Sequence, residues 1–207
     1  MLHADMLFVD HGIFRTIYLN KHKLDGGAIR AAQPTPGQIR RLARRGLRTM
    51  VNLRGERDCG SYWLEKQACD EAGIVFETFR VRSRAAPTPD EVLGACELFR
   101  RIEYPMLMHC KSGADRVGLM SVLYQFVHCG VPLETAKRQL SLRYGHIRQA
   151  QTGVLDYFFE TYMAYNQSQP IDFLEWVSTV YDHKAVMAEF RSHSLADKLV
   201  DGVLRRE

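Results

Sequence analysis

Four short runs of β type alternate with helical runs in the first half of the chain, and this alternation constrains the fold more than any other feature. The runs lie at 28–32, 47–54, 74–81 and 105–110. Strands that alternate with helices in this way are typical of a parallel sheet with helices on both faces. The sequence therefore predicts an α/β fold: a single domain with a short, mostly parallel central sheet flanked by helices.

The predicted helices between these strands carry recognisable capping residues. Thr35 is an N-cap, Pro36 follows at the first helical position, where proline is favoured, and Gly46 stops the helix. Thr88 and Glu91 form the T-x-x-E pattern of a capping box at the start of a later helix. These residues place helix starts directly after the turns that follow the strands.

Beyond the fourth strand the pattern is helical only. We expect one helix over 133–145 and another over 153–165. The second has a core-facing apolar stripe that consists of Leu155, Phe158, Phe159, Tyr162 and Met163. The sequence predicts an N-terminal segment over 1–27 packed on one domain over 28–166, followed by a helical C-terminal extension over 167–207. The apolar face expected in the extension consists of Phe173, Trp176, Val177 and Val180.

Composition narrows the class of protein. The 207 residues are 46% hydrophobic and carry a net charge of +4, a mildly basic balance that suits an anionic substrate and gives no basis for nucleic-acid binding. No apolar run reaches the length of a membrane span, and acidic residues interrupt the hydrophobic N-terminus, unlike in a signal peptide. We therefore expect a cytoplasmic protein without a transmembrane segment. The mixed apolar and charged C-terminus leaves peripheral membrane contact open.

The cysteines are scattered and odd in number, and no two form a C-x-x-C pair. This pattern favours free thiols in a reducing compartment over a disulfide framework or a zinc site, so no metal is expected. The five are Cys59, Cys69, Cys96, Cys110 and Cys129.

The stretch "MLMHCKSGADRVGLMSVLYQF", residues 106–126, joins the fourth strand to a strongly apolar helix through a short loop. Ligands of open α/β sheets bind beyond the carboxyl ends of strands, where loop N–H groups and a helix N-terminus form an anion cradle. Gly113 lets the backbone close tightly, and Arg116 can bind two phosphate oxygens. Cys110 lies at the mouth of the cradle, a setting that stabilises a thiolate able to attack phosphorus. His109 is expected to fix the loop rather than to act as a base.

The spacing from Cys110 to Arg116, with a histidine and a strand before it and an apolar helix after it, resembles the loop of cysteine-dependent protein tyrosine and dual-specificity phosphatases. The resemblance covers about residues 28–165. It includes "RAAQPTPGQIRRLARRGLRTMVNLRGER", similar to the opening segment of compact bacterial and fungal members, and "RYGHIRQAQTGVLDYFF", similar to their late helical segment. The substrate-binding residues that it implies are Lys111, Ser112, Gly113, Ala114, Asp115 and Arg116.

The resemblance implies a two-step reaction that needs no metal or other cofactor. Cys110 attacks phosphorus in line while Arg116 and the loop amides stabilise the equatorial oxygens. A general acid protonates the leaving alcohol, and water then hydrolyses the cysteinyl-phosphate. The implied partner is a phosphorylated protein or a phospholipid or phosphoinositide substrate.

The general acid is where the sequence departs from the family. Most members carry an aspartate in the loop after the third predicted strand, and "VRSRAAPTPDEV" has none at that point. Asp90 is nearest, but it lies inside a capped helix, where an acid at the N-terminus is favourable. Asp115 gives the form C-x-x-G-x-D-R, similar to bacterial phosphatases of phosphoproteins and phosphoinositides and to myotubularin-type lipid phosphatases. The resemblance implies that Asp115 is the acid; pairing with a basic neighbour or helix capping is the alternative.

Other positions bear on turnover and specificity. Val117 stands where the family usually has a serine or threonine whose hydroxyl helps the thiolate leave, so we expect a slow second step. Lys111 is similar to a lysine of phosphoinositide-directed members that contacts an additional phosphate, or it is simply solvated. Arg80, Arg82 and Arg84 are expected at the pocket mouth, where they would favour polyanions, or they form an ordinary solvated loop.

Three hypotheses remain open at this point. The first is a phosphomonoester hydrolase of dual-specificity type, acting on phosphotyrosine or other phosphoprotein substrates. The second keeps that chemistry but assigns phosphoinositide or phospholipid headgroups as substrates; Asp115, Lys111 and the basic loop favour such a broad or lipid-capable specificity. The third is a pseudophosphatase that binds phosphate with little turnover, favoured by Val117 and the absent loop acid and opposed by the intact Cys110 and Arg116.

Overall fold

A five-stranded, mostly parallel sheet forms the centre of the protein, as the strand–helix alternation predicts. The computed structural model describes residues 19–192. The strands are β1 His22–Lys23, β2 Ala28–Ala32, β3 Thr49–Asn52, β4 Val75–Thr78 and β5 Met106–Cys110. Their spatial order is β1-β2-β5-β3-β4, with β1 antiparallel to β2 and every other pair parallel. The edge strand β1 is additional to the four predicted strands.

Helices flank the sheet. They are α1 Pro36–Ala43, α2 Gly60–Glu71, α3 Pro89–Arg101, α4 Asp115–Leu123, α5 Leu133–Ala136, α6 Val154–Ser168, α7 Phe173–Thr179 and α8, which covers 183–192 to the end of the described residues. A π-helical turn, Tyr124–His128, continues α4. Short 3₁₀ turns lie at Asp25–Gly27, Lys137–Gln139, Leu142–Tyr144 and Gln151–Gly153. Among residues 19–192, no helix combines the length and the apolar character that crossing a membrane demands.

Two capping boxes begin α1 and α3, and both confirm the sequence prediction. The hydroxyl of Thr35 accepts a hydrogen bond from the N–H of Gln38, whose side chain accepts one from the N–H of Thr35. Thr88 and Glu91 make the same reciprocal pair at 3.2 and 2.7 Å. Each box satisfies two N–H groups that a helix start otherwise leaves without a partner.

The sheet separates two hydrophobic clusters, one on each face. The smaller cluster lies under α1 and α2 and contains Ile39, Leu42 and Cys69. The larger one lies under α3, α4, α6 and α7, and it also takes up the aromatic residues Phe173 and Trp176. Burial of apolar surface on both faces is what stabilises a parallel sheet of this kind.

The predicted stripe of α6 is buried at four of its five positions, Leu155, Phe158, Phe159 and Tyr162, while Met163 is half-buried. The face expected in the C-terminal extension is correct for Phe173, Trp176 and Val177 and wrong for Val180, which is 42% exposed. Helix α7 ends at Thr179, so the helical spacing no longer applies at Val180. Residues 193–207 of the predicted extension and most of the predicted segment 1–27 lie outside the described residues.

The helix predicted over 133–145 is wrong. The chain forms the four-residue α5 and then two separate 3₁₀ turns. The guanidinium of Arg30, on β2, donates a hydrogen bond to the carbonyl oxygen of Gln139 at 2.7 Å, so this oxygen is bound by a side chain from the sheet. Tertiary contact therefore overrides the local helical pattern here.

Strand register brings three strand ends to one edge of the sheet. Ala32 at the end of β2 pairs with Cys110 at the end of β5, and Asn52 at the end of β3 pairs with His109. The carboxyl edge of three neighbouring strands is where ligands of such sheets bind. The predicted phosphate loop leaves the sheet at this edge.

Candidate active site

The loop 111–114 connects β5 to α4 and begins directly after Cys110, which is almost fully buried. Gly113 has a φ of +77°, and a Cβ at this position would lie 2.7 Å from the backbone nitrogen of Ala32. Both the backbone conformation and the close approach to β2 therefore require glycine. The loop can close only with the residue that the sequence provides.

Arg30 lies on β2 and binds the carbonyl oxygens of the loop. Its Nη2 donates to the carbonyl oxygens of Gly113 and Ala114 at 2.9 and 3.2 Å. Its Nη1 donates to the backbone and side-chain oxygens of Gln139 at 2.7 and 2.8 Å. The guanidinium carbon also lies 3.9 Å from the ring centroid of Tyr144. Full burial lowers the pKa of Arg30 to about 10. Because this value is still well above neutral pH, the guanidinium remains charged.

Asn20 binds the loop on the same side as Arg30. Its amide nitrogen donates to the carbonyl oxygens of Ser112 and Gly113 at 3.2 and 3.1 Å and to that of Tyr144 at 2.9 Å. In a trans peptide the N–H points away from the carbonyl oxygen. Carbonyls held towards Asn20 and Arg30 therefore turn the N–H groups of residues 113–115 to the opposite side, which gives the anion cradle its direction.

Arg116 is the second residue of α4 and is half-buried. Within residues 19–192 its guanidinium forms neither an ion pair nor a hydrogen bond, so its donors are available to an anion. Val117 is fully buried and belongs to the same hydrophobic cluster as Cys110. The structure thus places a thiol, a free guanidinium and an apolar side chain around one short loop.

Asp115 forms one end of a chain of three titratable side chains. Its Oδ1 lies 2.8 Å from Nδ1 of His146, and Nε2 of His146 lies 2.7 Å from Oδ2 of Asp156. Burial acts to lower the pKa of His146, but hydrogen bonds to both carboxylates and their charges outweigh it and raise the pKa to about 9. His146 is therefore an imidazolium at neutral pH that donates to a carboxylate on each side.

His109 is fully buried directly before Cys110. Its Nε2 lies 2.5 Å from Oε1 of Glu65, and its Nδ1 lies 3.4 Å from the carbonyl oxygen of Cys110. Glu65 on α2 also accepts from the side chains of Gln33 and Asn52 at 2.7 and 3.5 Å. A buried polar network therefore joins the ends of β2, β3 and β5 behind the cysteine.

The remaining predicted residues are distributed differently. Lys111 is half-buried and Ser112 is exposed on the loop itself. Arg82 forms an ion pair with Glu91 at 3.1 Å, and the stem of Arg80 covers Gly55. The three loop arginines therefore do not act as one set, which favours the solvated-loop alternative for Arg82. Asp90 lies exposed in the first turn of α3, as its helix-terminal role predicts.

The sequence did not predict the roles of Arg30, Asn20 and Glu65. Arg30 carried a signal, because a charged residue inside a strand of a sheet covered by helices on both faces needs buried partners. Glu65 is similar, since it lies on the apolar side of α2 and is almost fully buried. Asn20 precedes the first predicted strand and carried no signal, because its role depends on contacts with residues more than 90 positions away.

A family model described as "DSP-PTPase phosphatase fused to NAD+ Kinase" matches residues 18–154, well over half of the chain. The chain belongs to this phosphatase family. Its membership confirms the resemblance of the Cys110 loop to cysteine-dependent protein tyrosine and dual-specificity phosphatases. No curated protein sequence gives a significant match to this phosphatase.

Solved structures share the fold of this phosphatase. TpbA of P. aeruginosa is 18% identical with a TM-score of 0.53, covering 77% of this chain and 88% of its own. Tk-PTP in its active form is 22% identical with a TM-score of 0.52 and coverages of 68% and 97%. PTPMT1 is 18% identical with a TM-score of 0.51 and coverages of 72% and 99%. TpbA has also been solved as a Cys-to-Ser variant in complex with pTyr.

Proposed function

We propose that this chain is a metal-independent phosphomonoester hydrolase that acts through a cysteinyl-phosphate on Cys110. The observation that carries the proposal is the orientation of the loop. Arg30 and Asn20 bind the loop carbonyls, so the N–H groups and Arg116, which has no partner within residues 19–192, are left for a phosphate dianion next to a thiol. A nucleophile beneath an oriented anion cradle is the arrangement that phosphoryl transfer requires.

In the proposed first step, the thiolate of Cys110 attacks phosphorus and forms the S–P bond as the P–O bond to the alcohol breaks. Arg116 and the N–H groups of Lys111, Ser112, Gly113, Ala114 and Asp115 stabilise the three equatorial oxygens. The leaving alkoxide receives a proton from a general acid. In the second step, water attacks phosphorus and gives a proton to the deprotonated general acid, the S–P bond breaks, and the thiolate and inorganic phosphate are released.

Asp115 is the proposed general acid. Its Oδ1 accepts from the His146 imidazolium, so Asp115 must take up a proton on Oδ2, the oxygen left for it, before it can donate that proton; the carboxyl is 26% exposed at the loop. General acids matter most for poor leaving groups. Asp115→Asn should therefore slow hydrolysis of alkyl phosphates by about 100-fold and that of activated aryl phosphates much less. Equal effects on both substrates, or none on alkyl phosphates, would exclude this role.

For the substrate, we propose phosphotyrosine and other phosphoprotein side chains, in agreement with the pTyr complex of TpbA. Phosphoinositide or phospholipid headgroups are a second candidate, favoured by two exposed arginines, Arg138 and Arg143, which lie in the cleft that contains His146 and lack acidic partners among the described residues. We further propose a cytoplasmic location and a division of the chain into the phosphatase domain 28–166, the helical extension 167–207 and the N-terminal segment 1–27.

Hydrolysis of an aryl phosphate by wild type and Cys110→Ser tests the proposal. Wild type should release phosphate, vanadate should inhibit it, and EDTA should have no effect. Cys110→Ser should lose activity while it still binds vanadate or phosphate. A wild type no faster than Cys110→Ser on aryl phosphate and on a phosphoinositide panel would favour the pseudophosphatase alternative.

A further inference from the structure

Two large aliphatic side chains are exposed within one short segment, residues 142–148, which we name the exposed tip. Leu142 is 77% exposed and Ile147 is 50% exposed. The other exposed large hydrophobic residues of the described chain, such as Val75, are isolated from one another along the sequence. Single exposed apolar residues are common on protein surfaces. Two in six residues, at one turn of the chain, indicate a contact surface.

Buried residues between these two side chains fix the exposed tip. Tyr144 lies under the guanidinium of Arg30, and His146 binds both Asp115 and Asp156. Gly145, with a φ of +82°, reverses the chain between them. The aliphatic residues are therefore held outward by a rigid, internally bonded turn, because the alternate residues occupy the interior.

Positive charge surrounds the exposed tip. Arg138 and Arg143 are exposed and form no ion pair among residues 19–192. Arg148, 64% exposed, forms a single ion pair with Glu160 at 3.0 Å. These arginines line a cleft of about 650 Å³ beside the tip that also contains Glu134, Asp156 and Glu160. Asp156 and Glu160 are paired with His146 and Arg148, so Arg138 and Arg143 leave the cleft with a net positive charge. An apolar projection within a basic surface matches a surface that is both anionic and able to accept apolar side chains.

The exposed tip is joined to the catalytic loop by direct contacts. His146 binds Asp115 at 2.8 Å, and Asn20 bonds the carbonyl oxygens of both Gly113 and Tyr144. A ligand on the tip therefore contacts the segment that holds Asp115 and the carbonyl side of the loop.

We propose that the exposed tip docks on an anionic lipid bilayer, with Leu142 and Ile147 in the interfacial region and Arg138 and Arg143 on lipid phosphates. A bilayer supplies anionic charge and apolar depth together, and it accepts a projecting side chain without a preformed complementary groove. The substrates would then be phosphomonoesters carried at that surface. This inference rests on the proposed function, and of its two substrate candidates it favours the second, phosphoinositide or phospholipid headgroups.

Vesicle sedimentation of the full chain tests the docking separately from catalysis. We expect binding to vesicles of phosphatidylcholine mixed with phosphatidylglycerol and little binding to phosphatidylcholine alone. The double variant Leu142→Ser/Ile147→Ser should bind the anionic vesicles about tenfold more weakly or worse. Arg138→Gln/Arg143→Gln should weaken binding and reduce its dependence on salt. Val75→Ser, a matched exposed aliphatic residue on the edge strand β4, should bind as wild type does.

Aryl phosphate hydrolysis in solution provides the second measurement. Both Leu142→Ser/Ile147→Ser and Val75→Ser should retain the wild-type rate on this soluble substrate, which also shows that they fold. Equal vesicle binding by wild type and the tip variant, or no binding by wild type, would overturn the docking. A tip variant that binds vesicles normally but has a raised KM for a phosphopeptide would assign the tip to protein substrates instead. Vesicle binding without any hydrolysis would refute the proposed function and leave the docking intact.

Discussion

Nδ1 of His146 lies 2.8 Å from Oδ1 of Asp115, and this contact ties the start of α4, directly after the loop 111–114, to the chain 31 residues further on. The other ring nitrogen binds Asp156 on α6 at 2.7 Å. A histidine can donate from both nitrogens only as an imidazolium. The loop is therefore held at its C-terminal end by a buried cation between two carboxylates.

The charge of His146 predicts a specific pH dependence of stability. Its pKa is about 9 in the folded protein, above its ordinary value of 6.5. The imidazolium therefore contributes fully below about pH 6.5, and the contribution is lost as pH rises through about 9. The free energy of unfolding, measured with urea, should fall across this window by at most about 3 kcal/mol.

His146→Gln keeps hydrogen-bonding capacity without a titratable charge. At pH 6 its free energy of unfolding should therefore be lower than that of wild type, and it should change little with pH across the same window. His183→Gln, at the start of α8, is the matched control and should retain the wild-type slope. Parallel slopes for wild type and His146→Gln would show that the imidazolium does not stabilise the fold.

Replacement of Arg30 should disrupt the anion cradle, although Arg30 itself does not bind the substrate. Arg30→Met leaves four buried oxygens, on Gly113, Ala114 and Gln139, without this donor. We expect a loss of about 3 kcal/mol or more in the free energy of unfolding and at least about tenfold weaker vanadate inhibition. Arg30→Lys should restore the charge but not the paired hydrogen bonds, because an ammonium lacks the planar fork.

Urea unfolding and vanadate titration of wild type and both variants make this comparison. Vanadate affinity should decrease from wild type to Arg30→Lys and again from Arg30→Lys to Arg30→Met. Wild-type vanadate affinity in a folded Arg30→Met variant would contradict the role of Arg30 in orienting the loop.

Val117 should make hydrolysis of the phosphoenzyme rate-limiting. Wild type should release a rapid burst of the aryl alcohol and then turn over slowly, as stopped-flow absorbance would show. Val117→Thr adds a hydroxyl in the buried cluster that contains Cys110, and a hydrogen bond to the departing thiolate should raise the steady-state rate up to about tenfold. Val117→Ala, which lacks the hydroxyl, is the control. A gain in Val117→Ala equal to that in Val117→Thr would point to steric relief instead.

The sequence predicted the fold because its local signals agree with one another. Thr35 and Thr88 with their capping partners, and the apolar runs of β2 to β5, each depend on residues a few positions apart. The position of Cys110, Gly113 and Arg116 follows from the same local logic, since a strand, a tight loop and a helix determine it. The two-residue β1 was missed because a strand of that length has no periodicity.

The sequence did not predict the features that depend on distant residues. The helix expected over 133–145 breaks where Arg30, 109 positions away, binds Gln139. The support of the loop by Asn20 and Arg30 likewise joins segments that only the folded sheet brings together. The two carboxylate partners of His146 also could not be identified from spacing.

Trapping of the phosphoenzyme tests directly whether Cys110 is the nucleophile. The full chain is mixed with an aryl phosphate, quenched in acid within the burst phase and digested, and the cysteine peptides are examined by mass spectrometry. We expect a phosphoryl group on the peptide that contains Cys110, none on the peptides of Cys59 or Cys129, and loss of the adduct after vanadate treatment. Phosphate release from wild type with no adduct on Cys110, and abolished by EDTA, would contradict this role of Cys110.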